Sequence, residues 1–250
     1  LMFLIKPLAQ FGRYLLLMRR VFSAPDRWSE FFRRYVTEIY KLGIDSIAIV
    51  ATISIFIGAV ITIQMVLNIM SPMIPAYAVG LATRDVLLLE FSSSIMCLIL
   101  AGKVGSNIAS EIGTMRVTEQ IDALDIMGVN SANYLILPKI AALVSIIPVL
   151  VVFSMFTGLF GGFLVSVFTQ MITVTKYVYG IQAMFNEYYI WYSIIKSQVF
   201  AFVISSVASY YGYNVRGGAL EVGKASTDSV VVSSVMILML DVLLTKLLMQ

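Results

Sequence analysis

The sequence predicts an all-α integral membrane protein with five transmembrane helices. Three observations lead there. Hydrophobic residues make up 60% of the 250 positions and charged residues only 12%, about half the charged share of a soluble domain. Apolar stretches recur at 44–67, 86–100 (extending toward Ile108), 140–168, 189–211 and 230–248, lengths that suit helices crossing a bilayer at ~20 residues each. They are too long for barrel strands of ~9–11 residues. A single long polar island, residues 101–138, parts the second stretch from the third.

Residues 1–27 are mixed and basic and predict no firm structure. From Trp28 a helical pattern begins. Trp28, Phe31, Phe32, Tyr35, Val36, Ile39 and Tyr40 form one face; Glu30, Arg33, Arg34, Thr37, Glu38 and Lys41 form the other. Such a helix is expected in the membrane plane ahead of the first span; the alternative is a core helix of a small soluble domain. The chain therefore divides into a basic segment with an interfacial helix, 1–43, and a five-helix body, 44–250. The first span carries Gly58 and Gln64. The third is too long for one upright span and too short for two, so a single tilted or kinked helix is expected, with Pro148 as the kink and Gly158, Gly161 and Gly162 allowing close helix contact.

The polar island is not loop-like. Ile121, Leu124 and Met127 recur at helical spacing among Glu119, Gln120, Asp122 and Asp125. Thr118 is placed as an N-cap and Gly128 as a stop, giving an amphipathic helix of roughly ten residues, ~15 Å long. Its apolar stripe can seat in a groove on a soluble partner or lie on lipid headgroups. Four carboxylates (Glu111, Glu119, Asp122, Asp125) favour the protein partner, because anionic lipid would repel them.

Several chemistries are excluded. With no histidine and one cysteine, the usual zinc and copper sites and His-based triads cannot form, and no cofactor is expected. Cys97 lies mid-span with no disulfide partner. The N-terminal apolar stretches are broken by Lys6, Pro7, Arg13 and Arg19-Arg20, so no cleavable signal peptide is expected. Residues 218–226, GALEVGKAS, imitate a P-loop but place Ala225 where Ser or Thr would hold magnesium, and lack a preceding strand. They are read as a flexible turn. No internal repeat is visible. The basic N-terminus suits an inner leaflet rather than nucleic acid.

Basic residues in the flanks set the orientation. Lys6, Arg13, Arg19, Arg20, Arg27, Arg33, Arg34 and Lys41 precede the first span, Lys103, Arg116 and Lys139 occupy the island, and Arg216 and Lys224 lie in the 212–228 loop. The opposite side holds Arg84, Lys176 and Lys246. The N-terminus and the island helix are thus expected to be cytoplasmic and the C-terminus outside.

Three charges sit inside apolar spans: Glu90, Lys196 and Asp241. Each costs of order 2.5–3.5 kcal/mol at mid-membrane, so such groups mark a cavity or a partner. Glu90 and Lys196 both fall toward the outer side and are expected to approach each other, lining a polar pocket for a lipid headgroup; snorkelling to the interface is the alternative. Asp241 is read as bonding a neighbouring helix or Lys246, and is not placed in the site.

The run AGKVGSNIASEIGTMRVTEQIDALDIMGVNSANYLILPK, residues 101–139, closely resembles the signature region of the MlaE-type permeases, membrane subunits of lipid-transporting ABC systems. The resemblance extends from about Phe56 to the C-terminus and includes the Gly-Gly…Val-Gly-Lys-Ala run at 217–225. It implies that residues 102–139 carry a cytoplasmic coupling helix touching an ABC ATPase subunit, with Glu111, Arg116, Glu119, Gln120 and Asp122 placed for that contact. It further implies a homodimer in a bacterial inner membrane, with a periplasmic C-terminus. An MCE-domain lipid-binding partner is implied on the outer side, as are a STAS-type protein in some systems and glycerophospholipid as substrate. The chain departs from the family pattern at Leu89-Glu90-Phe91-Ser92-Ser93, where Arg-Glu-Leu-Gly-Pro is frequent: the carboxylate stays, the arginine and the Gly-Pro break go. Ser92, Ser93 and Ser94 are candidates to bend the helix by back-bonding instead. A sterol or long-chain acid as substrate, and a non-ABC channel or scaffold, remain alternatives.

Overall fold

In a computed structural model the chain is all-α, and no strand occurs among the described residues, 2–23, 28–69 and 74–249, whose side chains are described from residue 9 onward. The Lys6 side chain and Arg27, both counted toward orientation, lie outside them. Among the described residues five helices are long and apolar enough to cross a membrane: α2 (Trp28–Asn68), α3 (Ala78–Val117), α5 (Ser131–Phe168), α7 (Tyr188–Tyr213) and α8 (Ala219–Leu248). Shorter helices are α1 (Met2–Val21), α4 (Gln120–Ile126) and α6 (Val174–Gln182).

α2, α3 and α5 have 41, 40 and 38 residues. At 1.5 Å per residue these are ~57–62 Å long, about twice the hydrocarbon thickness. The amphipathic segment expected as a separate in-plane helix is instead the first part of α2, joined to the span through a wide π-helical stretch, Ile39–Ile44. The side of it that turns inward draws on both faces, and it finds partners on the N-terminal half of α5. The Tyr35 hydroxyl donates to Ser145 Oγ at 2.9 Å, the Arg34 guanidinium lies 3.7 Å over the Tyr134 ring, and Glu38 pairs with Lys139. Its aromatic stripe, Trp28, Phe32, Val36 and Tyr40, stays exposed, as a lipid-facing surface would.

Farther along α2 the buried residues recur every fourth position: Ser46, Val50, Ser54, Gly58, Thr62, Val66. This small-residue stripe lets α2 and α5 run side by side in parallel, Gly58 against Gly158 and Ile55 against Gly161. In lipid, close backbone approach rather than exclusion of water holds helices together, which is why small residues mark the interface. α7 fills the centre between α3, α5 and α8, with Phe200, Ile204 and Ala208 buried. α1 lies across α5 and α7: Asn133 Nδ2 donates to Val21 O at 2.7 Å and Ser23 O at 2.6 Å, and the Tyr14 hydroxyl reaches Ser206.

Two further expectations change. The second span begins at Ala78 and continues as helix through much of the polar island, interrupted by wide turns at Leu87–Ile95 and Ala101–Gly105. In the first of these the Ser93 hydroxyl bonds back to Leu89 O at 3.1 Å. Residues 219–226 are no flexible turn. Gly217 (φ 125°) reverses the chain, Gly218 caps α8, and Val222 packs on Gly113. A helix in these positions cannot wrap a phosphate as a P-loop does.

Candidate functional site

Glu90 sits in the wide turn of α3, Lys196 eight residues into α7, and Asp241 seven residues before the end of α8. α7 begins and α8 ends on the same side, tied by a 2.6 Å bond from the Tyr188 hydroxyl to Leu248 O. Lys196 and Asp241 therefore lie at equal depth, ~10–12 Å in. They form an ion pair, Nζ to Oδ1 2.6 Å, and Glu90 stands 3.4 Å from the same ammonium. Tyr192 OH, 3.0 Å away, and Thr245 Oγ1, 3.2 Å away, complete the shell of Lys196. Ser94 Oγ bridges the two acids, 2.7 Å from Asp241 and 3.3 Å from Glu90.

The expected approach of Glu90 and Lys196 is present, and snorkelling of Lys196 is not: its side chain is 0% exposed. The nearest acid is Asp241, which the sequence reading leaves outside the site. A signal for it exists, since antiparallel neighbours bring together residues equally far from a shared end. One ammonium thus faces two carboxyl groups. Glu90 is the more exposed of the two, its side chain 44% exposed against 17% for Asp241. The cluster thus presents a carboxylate outward, backed by a buried ammonium.

At the other end of the bundle, the island helix is shorter than expected. α3 continues to Val117, and Thr118 closes it, its hydroxyl bonding back to Thr114 O at 2.9 Å; it does not cap α4. Glu119, at φ 60° in the left-handed region, makes the bend into α4. The expected stop holds: Gly128 has φ 77°, and the Gly128 and Val129 amides bond back to Asp125 and Leu124 carbonyls, a C-terminal cap. Ile121 is fully buried and anchors α4 to the bundle, while Ile126 is 86% exposed. Glu119 and Gln120 are exposed beside it.

The Gln120 amide donates to Thr118 Oγ1 at 3.1 Å, and the remaining expected contact residues form ion pairs within the chain. Asp122 accepts from Arg116 at 2.6 Å. Glu111 accepts from Lys41 at 3.1 Å and from Lys139 at 2.9 Å, and Lys139, almost fully buried, also holds Glu38 at 2.6 Å. This four-residue network ties α2, α3 and α5 together just beneath α4. In the sequence Lys139 reads only as a loop charge. Among the described residues no group of His, Cys, Asp and Glu could hold a metal ion.

Comparison with known proteins accords with this arrangement. The sequence pattern of the family described as Permease MlaE matches residues 35–247. A protein of Rickettsia bellii named as a probable ABC transporter permease is 35% identical over 219 residues, covering 87% of this chain and 83% of its own length. One so named in a Synechocystis strain is 31% identical, with 87% and 82% covered. The chloroplastic TRIGALACTOSYLDIACYLGLYCEROL 1 protein of Arabidopsis thaliana is 30% identical over 230 residues, 90% of this chain and 63% of that one. The chain is a multi-pass membrane protein and belongs to the MlaE permease family.

Proposed function

We propose that the chain is the membrane subunit through which a separate ABC ATPase drives glycerophospholipid between the bacterial inner membrane and an extracytoplasmic MCE-type carrier. The observation that carries this reading is α4. It is a short helix between two spans, pinned by buried Ile121 with half-buried Leu124 packed beside it, while Glu119, Gln120 and Ile126 are exposed and available to a soluble partner. Supporting it are the family match and a relative named for a diacylglycerol lipid. In this reading the α4 end is cytoplasmic and the C-terminus periplasmic, as the basic flanks favour. Two copies form the permease body from residues 44–250, and the exposed apolar side of α8 (Val231, Leu238, Val242) is available to the second copy. A STAS-type protein on the ATPase is compatible with it.

Motion reaches the lipid path through α3, which carries Glu90 in its first wide turn and meets α4 at the bend made by Glu119. An ATPase that binds α4 differently in its two nucleotide states shifts α3 by that difference in binding free energy. Glu111, Arg116 and Asp122 stiffen the base of the lever, and Glu119 and Gln120 make the outer contact. At the opposite end Glu90 faces the lipid headgroup and Lys196 fixes its carboxylate.

Purification in mild detergent, with mass spectrometry of what accompanies the chain, tests the whole reading. A P-loop ATPase and phospholipid are expected; sterol or free fatty acid would change the substrate class, and no ATPase would favour a channel or scaffold. Glu119→Lys is expected to leave assembly intact and cut ATP-driven transport about tenfold, the equivalent of one charged hydrogen bond. Unaltered coupling would remove α4 as the lever. Glu90→Ala is expected to weaken transport in the same assay without loss of the complex, and wild-type transport would remove the headgroup contact.

A further inference from the structure

A cavity of about 390 Å³ opens between α1, the end of α7 and the start of α8, on the side of the bundle that carries α4. It is the size of a small-molecule site. Arg13, Arg216 and Lys224 line it together with Glu221 and Asp228. The lining thus holds one more cation than anions. No ion pair among the described residues engages any of the three cations, so their charge is available to an incoming group.

A second, apolar hollow of about 160 Å³ adjoins it, walled by Phe11, Tyr14, Val207, Val232 and Met236. The two share Gln10, Tyr210 and Tyr211. Their order along α8 fixes a direction. Lys224 and Asp228 belong to the charged part, Val232 and Met236 to the apolar part, so passing from one to the other moves ~18 Å along the helix into the bundle. The tyrosines at the junction stand where aromatic rings sit at a membrane–water boundary. The Tyr210 hydroxyl donates to Gln10 O at 3.3 Å, and Tyr14 meets the Tyr210 ring edge-on at 5.7 Å, so α1 is held as the outer wall.

We propose that this two-part cavity binds an anionic glycerophospholipid of the adjoining leaflet. Its phosphate meets Arg13, Arg216 and Lys224, headgroup hydroxyls donate to Glu221 or Asp228, and one acyl chain follows Val232 and Met236. A net charge of −1 balances the excess cation, and an apolar continuation leading away from a basic mouth suits a lipid better than a free anion. The site is separate from the Glu90–Lys196–Asp241 cluster: Asp241 lies seventeen residues beyond Lys224 on α8, ~25 Å away along the axis. It does not rest on the transport reading, and its test reads binding alone.

The full chain, purified with its native partners if any, is placed in discs of equal phosphatidylglycerol and phosphatidylethanolamine and analysed by native mass spectrometry. Trace phosphatidylglycerol carrying a diazirine in its acyl chain is included for photolabelling. Phosphatidylglycerol is expected to be retained over phosphatidylethanolamine, with label on the α8 segment 232–236 or on Phe11 and Tyr14. The Arg216→Gln, Lys224→Gln pair is expected to lose about tenfold of that retention, and the Arg216→Lys variant to keep it. Inorganic phosphate at millimolar concentration is expected not to displace the lipid. Equal retention of the two lipids, retention unchanged in the Gln pair, label confined to other helices, or displacement by phosphate alone would each overturn the site. If the Gln pair does not fold, the position of the label in the wild-type chain decides.

Discussion

Lys196→Ala is expected to destabilise the protein by about 3–5 kcal/mol, the cost of stranding a buried charge whose partner has been removed. Asp241, 2.6 Å from the ammonium, would be left with Ser94 as its one hydrogen-bond donor among the described residues. Glu90 would lose its backing charge as well. Thermal unfolding in detergent checks the size of the effect. The paired change Lys196→Met with Asp241→Leu is expected to recover most of the loss, since replacing both members of a buried pair by apolar groups of similar volume is close to neutral. Recovery of stability without recovery of transport would separate the structural part of the cluster from its functional part. A Lys196→Ala protein as stable as the wild type would mean that water reaches Asp241, and that the three helices do not close around it as described.

The second large effect is expected at the α2–α5 contact. A Cβ on Gly58 would run into the backbone carbonyl of Gly158, and one on Gly161 into that of Ile55. Backbone cannot swing aside as a side chain end can. Gly58→Val is therefore expected to push the two helices apart and to cost at least about 3 kcal/mol, the upper part of the range for overpacking. Loss of the folded, detergent-stable fraction is the measurement. Gly102 and Gly223 serve as controls, because a Cβ at either meets open space. Gly223→Ala lies within α8 and is expected to raise stability slightly, alanine being favoured over glycine in a helix by up to ~1 kcal/mol. A neutral Gly58→Val would contradict the close contact.

Much of the candidate site is legible in the sequence. Charges inside apolar spans are rare enough that Glu90 and Lys196 declare themselves, and the alternation of spans places both toward one side. Asp241 is equally visible, and its bond to a neighbouring helix is as expected, yet which residue it meets is not legible. Pairing depends on which helices are neighbours, and nothing in the residues of α7 and α8 states that the two pack against each other. The contact residues around α4 show a related limit. Glu111 looks like a surface carboxylate in the sequence, yet α2 and α5 supply Lys41 and Lys139 to enclose it. Arg84 is the same case on the other side: counted as a loop charge, it is buried and donates to the Ile181 and Ala183 carbonyls.

The sequence by itself determined the class of protein, the number of crossings, the stop at Gly128 and the family, because these rest on composition, span length and a local run of residues. It did not determine which face of each helix turns inward. In a soluble helix the apolar stripe marks the core, but in a span lipid is as apolar as the protein interior, and both faces read alike. On α2 the large residues Phe56 and Val60 point out while Ser54, Gly58 and Thr62 point in. Only the packing of α2 on α5, and of α7 between α3 and α8, decided that. It is the same packing that gathers three distant charges into one cluster.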